Sequence, residues 1–122
     1  MDSKFDDKTP IYLQIMEMIK KDVVSKKLRE GEKLPSVREL AGNLKVNPNT
    51  LQRAYQELER EGITFTQRGM GTFVTEDEGV INSLKKEMAH SVIVSFIEGM
   101  KELGFSSSEI IDIVSEQVKK EE

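Results

Sequence analysis

Pro35-Ser36-Val37-Arg38-Glu39-Leu40-Ala41 and, a few residues on, Asn47-Pro48-Asn49-Thr50-Leu51-Gln52-Arg53-Ala54-Tyr55 decide the fold. Ser36 followed three residues later by Glu39 fits a capping box, in which each side chain satisfies a backbone N–H left open at a helix start. Val37, Leu40, Ala41 and Leu44 recur at helical spacing, which predicts a short helix ending near Asn43 or Leu44. Asn47-Pro48 starts the next helix: asparagine is a strong N-cap, and proline at the first helical position has no N–H to lose. That helix reads to Glu61, with Gly62 as its stop and Leu51, Ala54, Tyr55 and Leu58 as its inner stripe. Two helices joined by about three residues, the second longer and polar on one side, predict a helix-turn-helix.

Working outward, Ile63-Thr64-Phe65-Thr66-Gln67-Arg68 alternates and is rich in β-formers. Gly69-Met70-Gly71 supplies a tight turn and Thr72-Phe73-Val74-Thr75 a returning strand, so a β-hairpin with Arg68 at its tip follows the second helix. Upstream, Thr9-Pro10 reads as N-cap and first helical residue of another helix, which runs to about Lys26. Its apolar stripe is Ile11, Ile15, Ile19 and Val23, with Met16 and Val24 beside it, and Gly31 lies in the turn that follows. Helix, short helix, longer polar helix and hairpin, in that order, make a winged helix-turn-helix over residues 9–75. Residues 1–8 read as a short mobile arm, and residues 76–79 as an acidic connector.

Residues 80–122 read as two helices. Ile81, Leu84, Met88, Val92, Phe96, Met100 and Leu103 step by three or four along the first, which runs from Val80 to Leu103 and ends at Gly104. Ser106-Ser107-Ser108-Glu109 is a second capping box, opening a helix with Ile110, Ile111, Val114 and Val118. The fold class is thus mostly α with a small β-hairpin, a winged helix-turn-helix followed by a two-helix tail.

Composition narrows the function. The 122 residues contain no cysteine, which removes disulfides, thiolate metal sites and cysteine nucleophiles. A single histidine, His90, cannot build a multi-histidine metal site. No apolar run approaches the roughly 20 residues of a membrane span, and the charged N-terminus lacks a signal-peptide apolar region, so the expected location is the cytoplasm. The carboxylates are distributed as solvated helix faces, and no nucleophile motif, phosphate loop or metal-spaced set points to an enzyme. The net charge of −4 is uneven. Residues 1–75 hold 13 Lys/Arg against 11 Asp/Glu, whereas residues 76–122 hold 5 against 11. The acidity sits in the tail, and phosphate contacts depend on local charge.

The outward positions of the longer polar helix are Asn47, Asn49, Thr50, Gln52, Arg53 and Gln56. Amide and hydroxyl side chains there suit base edges, since Asn and Gln pair bidentately with adenine. Such residues equally keep any surface helix soluble. The hairpin that follows, with Arg68 where a wing would meet the DNA backbone or minor groove, favours DNA. The alternative is a winged helix used for protein contact without specific DNA binding.

Four segments resemble the GntR family, in family order and spacing over about residues 10–75. They are Pro10-Ile11-Tyr12-Leu13-Gln14-Ile15, Leu34-Pro35-Ser36-Val37-Arg38-Glu39-Leu40-Ala41, Val46-Asn47-Pro48-Asn49-Thr50-Leu51-Gln52-Arg53-Ala54-Tyr55 and Arg68-Gly69-Met70-Gly71-Thr72-Phe73-Val74. The short tail resembles the YtrA-like subfamily. The resemblance implies a bacterial transcription regulator, usually a repressor, with Arg38 reaching a base, commonly guanine. It implies further that Asn47, Asn49 and Thr50 open the recognition helix, with side chains and free N–H groups available to a phosphate, and that Arg68 and Gly69 form the wing tip. Many members carry arginine where Pro48 and Gln52 stand, so the base code must differ. Lys45 stands where glycine is usual; a left-handed conformation there would cost roughly 1 kcal/mol.

Two apolar-striped helices within 45 residues have too little partner surface of their own. The expected outcome is a homodimer whose interface uses Leu84, Met88, Val92, Phe96 and Met100. A dimeric reader implies double-stranded DNA with a palindromic operator. Met88, Met100, Phe96 and Phe105 could line a pocket for a small-molecule effector, but at helical spacing they read first as core. No cofactor or metal is expected.

Overall fold

The computed structural model describes residues 4–122; Met1 to Ser3, the start of the expected arm, lie outside the described residues. Helices α1 (Ile11–Val24), α2 (Val37–Leu44) and α3 (Pro48–Arg60) precede a hairpin of β1 (Thr64–Gln67) and β2 (Gly71–Val74). Helices α4 (Glu78–Glu102) and α5 (Ser107–Glu121) complete the chain. The chain divides into two compact units after Lys85, inside α4 and not in the acidic connector expected at residues 76–79. The first turns of α4 belong to the N-terminal unit, and Ile81 and Leu84 there are buried.

In the N-terminal unit, Ile15, Ile19 and Val23 of α1 are fully buried and meet the inner stripe of α3, Leu51, Ala54, Tyr55 and Leu58. Each large aliphatic side chain taken from water in this way contributes about 2 kcal/mol. The Thr9 cap is not formed: α1 is preceded by Pro10, with no side-chain cap. Gln14 supplies a tether instead, donating to the Asp6 and Thr9 carbonyls at 2.9 and 2.7 Å and accepting from the Asp6 N–H at 3.0 Å. The described part of the expected mobile arm is therefore pinned to α1.

Both boxes form. Ser36 Oγ accepts from the Glu39 N–H at 3.1 Å, and Ser106 Oγ from the Glu109 N–H at 3.3 Å. The Glu109 carboxylate accepts the Ser106 N–H in return, and these bonds hold its pKa below the ordinary glutamate value. The turn after α2 is made by Lys45 in the left-handed conformation, φ 57° and ψ 47°. A side chain there meets the following carbonyl oxygen, the strain anticipated for the position glycine usually holds.

The hairpin pairs Thr64 with Val74, Phe65 with Phe73, Thr66 with Thr72 and Gln67 with Gly71. Gly69 at φ +77° and Gly71 at φ +121° turn the chain where a side chain is disfavoured. An extended segment that the sequence pattern does not announce flanks β2. Gly31 and Leu34 donate to the Val74 and Thr72 carbonyls at 2.9 and 2.8 Å, and Val74 donates back to Glu32 at 2.9 Å. The wing thus has a third edge, contributed by the chain between α1 and α2.

In the C-terminal unit, Gly104 at φ +93° ends α4, with the Phe105 N–H reaching back to the Met100 carbonyl at 3.2 Å. Ile110 is buried, whereas Val92 is 69% exposed, Phe96 42% and Ile111 65%. The core expected from Met88, Phe96, Met100 and Phe105 is not closed within one chain: Phe96 is exposed and the other three are half-buried. Among the expected interface residues, Leu84 stands apart. It is only 6% exposed in the single chain and belongs to that chain's own core, so the open stripe lies further along α4.

Candidate nucleic-acid interface

The outward face of α3 follows from helix geometry. At 3.6 residues per turn, Asn49, Arg53 and Gln56 lie opposite the buried Leu51, Ala54, Tyr55 and Leu58, with Gln52 to one side. Asn47, Asn49, Gln52, Arg53 and Gln56 are all exposed, and Thr50 is half-buried. Asn47 caps the helix, its Oδ1 accepting from the Asn49 N–H at 2.8 Å. That leaves the Asn47 amide NH2 open to an outside acceptor.

The backbone at this helix start has fewer open donors than the sequence pattern suggests. Pro48 has no N–H, the Asn49 N–H is held by Asn47 Oδ1, and the Thr50 N–H donates to the Asn47 carbonyl at 3.0 Å. Capping engages the Asn49 and Thr50 donors, which leaves the Asn47 N–H and the side chains to meet a phosphate here.

Arg38 sits in the first turn of α2 and Arg68 in the hairpin turn, both exposed. Among the described residues, Arg38, Arg53 and Arg68 have no carboxylate oxygen within 4.0 Å. Arg38 does not pair with the adjacent Glu39, whose carboxylate faces the Ser36 N–H at 3.4 Å. Other cations are engaged: Arg60 with Glu57 at 3.1 Å and Lys20 with Glu61 at 2.9 Å. Lys26 pairs with Glu30, and with Glu78 at the start of α4. Arg38, Arg53 and Arg68 thus keep their charge open to an outside partner, whereas Arg60 at the far end of α3 is paired.

Three residues missing from the sequence-derived site support it. Tyr55 Oη donates to the Pro35 carbonyl at 2.6 Å, tying the recognition helix to the entry of α2. Burial, and then the Glu39 carboxylate, push its phenol up to about 12. The Arg53 guanidinium lies 3.9 Å over the centre of the Tyr12 ring. Lys33, on the third edge of the wing, runs alongside Gly71. None of these has a local sequence signal, because each partner is distant in the chain.

No group of His, Asp or Glu among the described residues could hold a metal ion, and no described helix is long and apolar enough to cross a membrane. The three-helix arrangement, the polar face of α3 and the hairpin define a winged helix-turn-helix DNA-binding regulator. Residues 11–74 match the family described as bacterial regulatory proteins, gntR family. The chain belongs to the GntR family, and its short C-terminal region is that of the YtrA-like subfamily.

Among its relatives is the uncharacterized HTH-type transcriptional regulator YhcF of Bacillus subtilis, 47% identical over 112 residues, 92% of this chain and 93% of that protein. The HTH-type transcriptional repressor YtrA of the same organism is 41% identical over 99 residues, 76% of each chain. A solved GntR family regulator from Listeria monocytogenes matches with a TM-score of 0.84 and 45% identity, covering 92% of this chain and 98% of its own. The DNA-binding domain of AraR, solved in complex with operator ORX1, matches with a TM-score of 0.54 and 26% identity over 62% of this chain and 92% of its own. The family and these relatives are regulators of transcription, not enzymes.

Proposed function

We propose that this protein is a homodimeric repressor that reads a palindromic operator, with α3 in the major groove and the wing on the backbone or minor groove. The observation that carries the reading is the exposed face of α3, Asn49, Gln52, Arg53 and Gln56, accompanied by Arg38 and Arg68, which have no carboxylate partner among the described residues. Arg38 takes the role of guanine reader, its planar fork matching O6 and N7. Asn47, Asn49, Thr50 and Gln52 offer amide and hydroxyl groups to bases and phosphates. Arg68, carried forward by the turn at Gly69, meets the backbone. The operator complex of AraR and the repressor name of YtrA support the same assignment.

The dimer rests on α4. From Val92 to Ile97 every residue but Ser95 is apolar, and all six are exposed in the single chain. A helix apolar on nearly every side requires cover, and a second copy of the same surface provides it through a two-fold axis. Met88, Val92, Phe96 and Met100 belong to that interface. Two recognition helices related in this way read half-sites roughly 34 Å apart, one duplex turn.

Selection of bound duplexes from a random DNA pool, at two salt concentrations, tests the proposal. A palindromic consensus whose affinity falls steeply with salt is the expected result. No enrichment at either concentration overturns it and favours a winged helix that binds protein.

A further inference from the structure

We propose that Tyr12, on α1 and outside the helix-turn-helix, is a positioning residue that holds Arg53 of the recognition helix as a clamp on a DNA phosphate. The inference rests on the DNA-binding reading above and adds to it a role for the first helix. Helices α1 and α3 pack together through their buried stripes. Near the starts of both, a shallow groove is lined by Pro10, Ile11, Tyr12, Asn49, Thr50 and Arg53. Arg53 lies at its edge, its guanidinium carbon 3.9 Å from the Tyr12 ring centre.

The guanidinium sits over the face of the ring, where the quadrupole attracts a cation. Two consequences follow. An exposed arginine otherwise samples many rotamers and loses that freedom on binding; stacking limits the rotamers beforehand. A stacked guanidinium also keeps its N–H edges open, so it can still grip two oxygens of one acceptor. The ring draws Arg53 from the crest of α3 toward the neighbouring helix. In a groove-bound recognition helix, bases lie below the crest and phosphates beyond the flanks, so a side chain leaning on α1 faces the backbone. No carboxylate competes for it within 4.0 Å among the described residues.

The test uses the full chain and the duplex selected by the parent protein. Variants are Tyr12→Leu, which keeps an apolar side chain without a π face, Tyr12→Phe, Arg53→Ala and the Tyr12→Leu/Arg53→Ala pair. Thermal melting accompanies each binding measurement. Arg53→Ala is expected to weaken binding evenly across operator variants. It should also flatten the dependence of log Kd on log salt by about 0.9 for each phosphate that Arg53 neutralises in the parent. Tyr12→Leu is expected to raise Kd about two- to fivefold, Tyr12→Phe to bind as the parent, and the double variant to bind no worse than Arg53→Ala. The last result separates positioning from a general loosening of α1, which would persist without Arg53. Three outcomes overturn the inference alone: Tyr12→Leu at parental affinity, losses that multiply in the double variant, or Arg53→Ala changing preference at one base step without altering the salt slope. A parent protein that selects no duplex overturns this inference and the proposed function together.

Discussion

The Tyr55 hydroxyl and the Pro35 carbonyl, 20 positions apart in the chain, are joined by a 2.6 Å hydrogen bond. Tyr55 lies on the buried side of the recognition helix, and Pro35 immediately precedes the cap of α2. The bond links the start of the helix carrying Arg38 to the helix carrying Asn49, Gln52 and Arg53. It therefore bears on the stability of the unit and on the spacing of its DNA-facing residues.

Removing that hydroxyl leaves the carbonyl without its partner. Tyr55→Phe is expected to lower stability by about 1 kcal/mol, read from urea denaturation. A pH effect follows from the phenol, which is raised from 10.0 to about 12. The folded state holds this proton more tightly than the unfolded chain. The associated stability is whole below pH 10 and is lost as pH rises from 10 to about 12. The melting temperature of the parent should fall more steeply over that window than that of Tyr55→Phe; parallel declines would show that another group titrates.

Lys45 holds a left-handed conformation, with φ 57° and ψ 47°, at the end of α2. Lys45→Gly is expected to stabilise the protein by about 1 kcal/mol, because glycine meets no penalty there. Lys45→Ala should stay near the parent, since its Cβ meets the same carbonyl oxygen. Equal urea midpoints for all three proteins would show that the turn is unstrained.

Arg38 and Arg68 are expected to differ in kind. Arg38→Ala should cost about 1–3 kcal/mol at the selected operator and relax preference at one base pair per half-site. Arg68→Ala should weaken selected and scrambled duplexes by similar factors. Competition binding against single-base operator variants distinguishes them. An Arg38→Ala protein with parental affinity would remove that residue from the base-reading set.

Phe96 is 42% exposed in the single chain and Val92 69%, in the compact unit that begins after Lys85. Phe96→Glu buries a charge in any interface formed there. Sedimentation should show monomer, and operator affinity should drop roughly 100-fold as the two half-sites lose their linkage. A dimer that survives Phe96→Glu and Val92→Glu together would place the interface elsewhere.

Much of the fold is legible in the sequence because its signals are local. Ser36 with Glu39, Asn47 with Pro48 and Ser106 with Glu109 each place a donor and an acceptor, or a cap and its proline, within a single helical turn. The four-residue recurrence of Ile15, Ile19 and Val23, and the glycines at 69 and 71, likewise need no distant partner. The recognition helix and its outward residues can therefore be read directly.

The departures are non-local or come from competition among local donors and acceptors. Spacing alone makes Thr9 the cap of α1, but Gln14 binds the Thr9 and Asp6 carbonyls instead. The start of α3 promises free N–H groups, but Asn47 occupies those of Asn49 and Thr50, since one asparagine satisfies the helix with both its side chain and its carbonyl.

Residue types and their spacing determined by themselves the helices, the hairpin and the polar face that make this chain a winged helix-turn-helix, because hydrogen bonding and amphipathicity within one turn or one hairpin are short-range. Tertiary structure alone decided that residues 31–34 would edge the wing, that Leu84 would join its own chain's core, and that Tyr12 and Tyr55 would reach Arg53 and Pro35. The paired residues among these lie 20 to 43 positions apart, and only packing of the helices and the hairpin brings them within reach of one another.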